Sequence, residues 1–555
     1  MAFKELLTES SFAKHHRAVK SAPREVIFNP SLMLSAILYA MSAIPLTWDQ
    51  ASAASVPSLP GFQKHFQFQS GNSALEIRNF ISIVYVGAGV GAGLSFFLND
   101  ILGRRWSFRL YTWVWIIGQI IATASPTLAG LYASRIISGL GMGALTVIGP
   151  MSIVEIAPAE IRGMLTAWFN VAMNMSATCG AFCVLGVYKN MPSTSLQYQV
   201  VWFSPCVYMF LCFVASFFVV ESPRWLCLVD RHEEATQALI TLRGLPAEHP
   251  RLQRELQEIQ DAIHEEKTLN QEGIVGIFKE ALLVPSNLRR VQQSLVSYAL
   301  AQLSGANSVT SYFVPILTLM GIGGDTTRNI FLSGMYTFAK FCFAIIASFF
   351  FVDALGRRKS LFVGACLQMV SDIYIGVYIK YSQRGEVSDS ASKGAIAFVF
   401  IHGFGYVVGR FDSRSLTTVL GHIAYTRLMT GLYILPYVFG GELWPNRIRS
   451  FGSALSQCFH WLFIFAMAYG APSLLKQTNN WGAFIFFGGW CFVSLFYVYL
   501  MVPETSGLSV EEMDEIFKGS WFNAARRSKR QTNVTLIEGQ EEHDKVAHHA
   551  KESEP

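Results

Sequence analysis

Asp100-Ile-Leu-Gly-Arg-Arg105 recurs with one substitution as Asp353-Ala-Leu-Gly-Arg-Arg358, and Glu155-Ile-Ala-Pro-Ala-Glu-Ile-Arg162 has its counterpart in Glu442-Leu-Trp-Pro-Asn-Arg-Ile-Arg449. Each copy follows an apolar run long enough to cross about 30 Å of hydrocarbon. A carboxylate at the end of such a run, a glycine that permits a tight turn and two guanidinium groups just beyond can pin neighbouring helix ends together. Broken and remade, the cluster is a gate latch. Two copies in register imply duplicated halves, the usual construction of secondary transporters.

Composition agrees. Of 555 residues, 52% are hydrophobic, 14% aromatic and only 15% charged, against about 25% charged in a soluble domain; mean hydropathy is +0.34. The net charge of +5 is spread over short clusters between apolar runs, so no nucleic-acid partner is expected. The nine cysteines lie almost entirely in apolar segments without ligand or disulfide spacing. No nucleotide loop, metal cluster or nucleophile–base pair stands in a polar segment, so neither an enzyme, a cofactor nor a metal site is expected.

Apolar runs number twelve, which predicts an all-α integral membrane protein of two pseudo-symmetric six-helix halves. The expected division is a tail over 1–28, an N-terminal bundle over 29–220, linker helices over 221–290, a C-terminal bundle over 291–502 and a tail over 503–555. In the linker, Leu252, Leu256, Ile259 and Ile263 repeat at helical spacing. Lys and Arg concentrate in the two tails, the linker and the turns after the second and eighth spans. By the positive-inside rule these are cytoplasmic, and a multi-pass plasma-membrane protein is expected.

One stretch breaks the repeat. Asp100 to Glu155 is 55 residues, whereas Asp353 to Glu442 is 89. A polar segment over 409–430 interrupts the tenth apolar run; joining Val408 to Gly431 would restore a helix of normal length. We read it as a retained intron, with a genuine inserted loop as the alternative.

Further motifs carry a resemblance: Arg135-x-x-x-Gly-x-Gly-x-Gly143, Glu221-Ser-Pro-Arg-Trp-Leu226, Gln302-Leu-Ser-Gly-Ala-Asn307 and Pro503-Glu-Thr-Ser-Gly507. With the duplicated latches, over roughly residues 30–520, the sequence resembles the sugar porter family of the major facilitator superfamily, including its fungal sugar, sugar-acid and quinate transporters. The resemblance implies the fold of that superfamily and latches formed by Asp100, Arg104, Arg105, Glu155 and Arg162 in one half and Asp353, Arg357, Arg358, Glu442 and Arg449 in the other.

An ionised group inside a span costs from ~2.5 kcal/mol upward, so each is a functional candidate. Asp49 and Arg135 occupy positions where proton-coupled members place an Asp and an Arg. Paired, the carboxylate is favoured as the anion; separated in a low-dielectric cavity, it is favoured with a proton. The family's binding positions map onto Asn170, Gln302, Asn307, Tyr437, His460 and Trp461, with Asn170, Tyr437 and His460 departing from the usual residues. Amides and an indole suit a polyhydroxylated ring. Lys340, inside the eighth span, adds a cation that a neutral sugar does not need, and an acid of uronate or quinate type would use it.

The resulting expectation is a proton-coupled secondary transporter that imports a monosaccharide or sugar acid by alternating access across the lipid bilayer. Its partners are the small-molecule solute, the proton and lipid. The rivals are an uncoupled sugar facilitator and a non-transporting sensor. Cotransport of one proton with one monoanion moves no net charge and should be nearly insensitive to voltage.

Overall fold

The computed structural model describes residues 23–67, 73–158, 161–269, 273–321, 325–350, 357–407, 444, 448–501 and 517. All regular structure among them is helical. The first span starts at α1 (Pro30–Ala40), where Pro30 opens the helix and the Asn29 side chain accepts the Ser31 and Leu32 amides. A tight turn over Met41–Ala43 leads into α2 (Ile44–Ala53), which restarts around Pro45. Asp49 sits in α2, deep in the protein.

The next helix, α3 (Ser73–Ala124), has 52 residues and would be about 78 Å long if straight. It bends back at Gly103 (φ 81°, ψ 176°), a backbone conformation that is nearly exclusive to glycine, and so supplies two spans. Spans four to six are α4 (Leu128–Ile156), α5 (Arg162–Asn190) and α6 (Leu196–Ala215). In α4, a Cβ at Gly139 or Gly143 would run into the main chain of Val84 or Ala88. The missing side chains let the second and fourth spans touch backbone to backbone, the small-residue packing that membrane helices rely on.

Four helices connect the halves: α7 (Pro223–Leu228), α8 (His232–Arg243), α9 (Pro250–Leu269) and α10 (Gly273–Leu283). Leu252, Leu256 and Ile263 share one face of α9 and pack with Trp225, Leu226 and Leu239 in a small core of their own. Arg243 fastens this core to the bundle: its guanidinium donates twice to Glu255, at 3.0 and 2.6 Å, and once to the Ile156 carbonyl at the end of α4, at 2.9 Å.

The seventh span is discontinuous. It runs as α11 (Pro285–Leu303), breaks at Gly305 (φ 79°), and resumes as α12 (Ala306–Ser311) and α13 (Phe313–Leu319). Then come α14 (Thr326–Phe350), α15 (Arg357–Ser382), α16 (Asp389–Val407), α17 (Arg449–Gln477) and α18 (Trp481–Leu500). The 409–430 stretch lies outside the described residues.

A Cβ on residue 103 would meet Glu221 Oε2 at 2.8 Å and the Trp225 ring at 3.0 Å. Gly103→Ala should therefore cost about 1–3 kcal/mol, visible as a thermal midpoint lowered by several degrees in detergent; an unchanged midpoint would show that the bend tolerates a side chain.

Candidate functional site

The first half of the site is an ion pair. Arg135, on α4, donates through Nη1 to Asp49 Oδ1 and through Nη2 to Oδ2 at 3.0 Å. Its Nε reaches the Phe80 carbonyl at 3.3 Å, and the guanidinium lies 4.7 Å from the centre of the Phe80 ring. Both side chains are at most 3% exposed. Removing one partner of so buried a pair, without neutralising the other, costs about 3–5 kcal/mol.

Gln50, the next residue after Asp49, points to the other half. Its Nε2 donates to Asn307 Oδ1 at 3.0 Å, and Asn307 Nδ2 donates to Gln302 Oε1 at 2.6 Å. Gln302 lies in the last turn of α11 and Asn307 in the first turn of α12, so the break at Gly305 brings two amides of one span together. Trp461, on α17, is fully buried and stacks on Tyr85 of α3, with ring centres 5.9 Å apart. Tyr85 lies close enough to Asp49 and Arg135 to feel both charges. The amide chain thus starts one residue from Asp49, and the indole stacks on a ring within the field of the pair.

Lys340 projects from α14. Its Nζ is 3.4 Å from Thr310 Oγ1 and 5.5 Å from the centre of the Tyr336 ring. With Thr47, Gln50, Asn174, Thr310 and Thr337 it lines a narrow cavity between the halves. That cavity holds about one water, far less than a sugar ring. On either side of it, contacts join α17 to neighbouring elements. Towards the linker, Phe96 and Phe278 pack on Phe451 with ring centres 5.4 and 4.8 Å away. At the opposite end, Arg78 donates to Tyr469 Oη at 2.9 Å. A wider depression of about 780 Å³ lies at that opposite end, bounded by Tyr312, Lys380, Arg384, Lys476 and Trp481.

At the linker end the N-terminal latch is closed. Arg104 makes paired 2.8 Å bonds to both Glu155 oxygens and reaches Asp100 Oδ1 at 3.1 Å. Glu221, leaving α6, accepts the main-chain N–H groups of Arg104 at 2.9 Å and Arg105 at 3.2 Å. These are the amides that the bend at Gly103 leaves without helical partners. The Arg105 guanidinium turns away to the Val219 carbonyl at 3.0 Å. Arg162 is exposed at the start of α5.

Asn170 is buried beside the cavity wall, one turn before Asn174, which donates to its carbonyl at 3.0 Å; Asn174 is the amide that lines the cavity. His460 packs between Tyr298 and Trp461, with ring centres 5.2 and 5.1 Å away. Asp353, Tyr437 and Glu442 lie outside the described residues, as do the side chains of Arg357, Arg358 and Arg449. Gln50, Asn174, Thr310 and Thr337 escaped the sequence reading because uncharged polar residues in a span carry no signal that singles them out. Asp372 and His402 did carry one, being ionisable residues in apolar runs, and were passed over.

A family model described as "Sugar (and other) transporter" matches residues 35–411 and 415–517. A quinate permease of Emericella nidulans is 25% identical over 503 residues, covering 90% of each chain, and a quinate permease of Neurospora terricola is 27% identical over 508 residues, covering 89% of this chain and 90% of that one. Among solved structures, the proton:xylose symporter XylE bound to 6-bromo-6-deoxy-D-glucose superposes with a TM-score of 0.71 at 18% identity, covering 88% of this chain and all of that one. An inward-open form of XylE gives 0.65. The fold is accordingly the two-half helical fold of the major facilitator superfamily.

Latch and amides should separate in kinetics. Gln302→Ala removes a buried hydrogen bond worth about 1.5 kcal/mol and should raise KM about tenfold. Arg104→Gln should instead depress the maximal rate at least about tenfold with KM nearly unchanged, because the latch touches no solute. Initial-rate uptake normalised to surface protein reads both, and a KM effect in Arg104→Gln would contradict this division.

Proposed function

The chain belongs to the sugar (and other) transporter family, an integral multi-pass membrane protein and not an enzyme, and on that premise we propose that it imports a sugar acid of quinate or uronate type together with a proton, by alternating access. The observation that carries the reading is the buried Asp49–Arg135 pair one residue from Gln50, whose amide is bonded to Asn307. Solute that displaces Gln50 from Asn307 pulls on the helical turn that holds Asp49. Loosened from the guanidinium in a dry cavity, the carboxylate binds a proton. Protonated, it no longer anchors α2 to α4, and the halves can rock. Binding and protonation are then two handles on one helix.

Lys340 supports an acid. A cation at the wall of a polar cavity pairs with a carboxylate through a charge-assisted bond, while Thr310, Thr337, Asn174 and Gln50 offer donors and acceptors to ring hydroxyls. At the opposite end Lys380, Arg384 and Lys476 border the wide depression and would attract an approaching anion. The relatives named quinate permeases point the same way. The clustering of Lys and Arg on the linker side supports cytoplasmic termini and a plasma-membrane setting.

Asp49→Asn should still carry solute downhill but accumulate none, its internal-to-external ratio settling near about one where the parent's exceeds about ten under a one-unit ΔpH. Labelled uptake in transporter-deficient cells, with and without a protonophore, reads this; uphill accumulation by Asp49→Asn makes another group the proton carrier, and protonophore-insensitive uptake by the parent makes the protein a facilitator. Lys340→Ala should lose quinate and galacturonate uptake at least about tenfold while leaving any neutral-hexose uptake in place. Full acid uptake by that variant would remove lysine from the site.

A further inference from the structure

Inside the C-terminal bundle, away from the ion pair of the first half, a carboxylate and an imidazole face each other. Asp372 on α15 and His402 on α16 are both fully buried, with His402 Nε2 3.5 Å from Asp372 Oδ1. Among the described residues, Asp372 Oδ1 and His402 Nε2 have no hydrogen-bond partner of normal geometry, and Asp372 Oδ2 has the Cys491 thiol of α18 at 3.9 Å. Gln368, one turn before Asp372, buries both amide atoms without partners among the described residues. Buried polar atoms are almost always satisfied, so a carboxylate, an imidazole and an amide left this way together call for an explanation.

The neighbours supply one. His402 lies against the main chain of Ser304 and within the field of Lys340, while Tyr336 feels Asp372. Ser304 caps the carbonyl end of the half-helix α11, just before the break at Gly305. The carbonyl end of a half-helix favours a cation. A proton on His402 would thus find acceptors in Asp372 and in that helix end. The titratable or charged groups around the pair are Lys340 and Tyr336 from α14, Cys491 from α18, and Cys366 on α15 itself. Lys340 thus lines the cavity and its charge reaches His402, which faces Asp372.

We propose that Asp372 and His402 form a second proton site, loaded when an anionic solute occupies Lys340. The inference rests on the acid-substrate reading above. With the cavity empty, the Lys340 cation disfavours a second positive charge on His402. The arriving carboxylate pairs with Lys340 and offsets the field that kept a proton off His402. One proton then loads the pair, shared between His402 Nε2 and Asp372 Oδ1, and it leaves when the anion does. Together with the proton on Asp49, two protons then accompany one monoanion, and each cycle moves one positive charge, not none.

The test is charge per anion in voltage-clamped cells given labelled quinate, with surface protein measured alongside. The parent protein should pass about one elementary charge per quinate. Asp372→Asn and His402→Asn should lower the ratio towards zero while quinate uptake persists, and Asp372→Glu, which keeps a proton acceptor, should restore it. If one Asn variant fails to reach the surface, the other carries the comparison. Electroneutral uptake by the parent, or an undiminished ratio in the Asn variants, overturns the second site and leaves the acid-substrate reading standing. Absence of any quinate or galacturonate uptake by the parent overturns that reading and this inference with it.

Discussion

A carboxylate and a guanidinium held together out of water govern this molecule. Neither Asp49 nor Arg135 could sit where it does alone, because an unpaired charge at that depth costs several kcal/mol. Together they tie the first span to the fourth through two parallel hydrogen bonds. The glycines of the fourth span serve that tie. Close approach of α4 to the second span sets the depth of Arg135, and the restart around Pro45 leaves Asp49 on a short segment, α2, that begins only a turn away. On the proposed reading, one proton sets the strength of this tie, which makes it the two-state element transport needs.

The second half answers with flexible polarity where the first has charge. The seventh span breaks at Gly305, and the break gathers Gln302 and Asn307 onto one spot within reach of Gln50. Discontinuous helices near the middle of the bilayer free main-chain groups and side-chain amides for solute and ions. Around them the halves meet at three levels: the Phe96, Phe278 and Phe451 rings near the linker, the Tyr85–Trp461 stack in the middle, and Arg78 with Tyr469 at the opposite end. Among the described residues the cavity between the halves holds about one water, so admitting a ring of sugar size requires the halves to move apart. The Arg104–Glu155 pair ties the bend of α3 to the end of α4 at the linker side.

Much of this was legible beforehand. Repeated Asp-x-x-Gly-Arg-Arg and Glu…Arg patterns announced two halves and the latch residues, since charge at the end of an apolar run has few uses other than topology and pinning. Asp49, Arg135 and Lys340 stood out because ionisable groups in spans are costly. The same criterion, applied evenly, would have found Asp372 and His402. Arg105 shows the opposite limit: its motif placed it in the latch, and the structure brings its amide to Glu221 while its guanidinium goes to the Val219 carbonyl.

What the amino-acid order determined by itself was the number and length of the apolar runs, the duplication, and which side chains could not be buried without a partner, because hydrophobic length and charge are local properties of a chain. The tertiary structure alone decided which partners those side chains have: Gln50 with Asn307, Glu221 with the amides of a glycine bend, Asp372 with His402. Each joins residues from different spans whose separation along the chain is set by loops and linkers and not by the contact. Pairing across a membrane bundle follows from how helices pack and rotate against one another, and no local pattern records that.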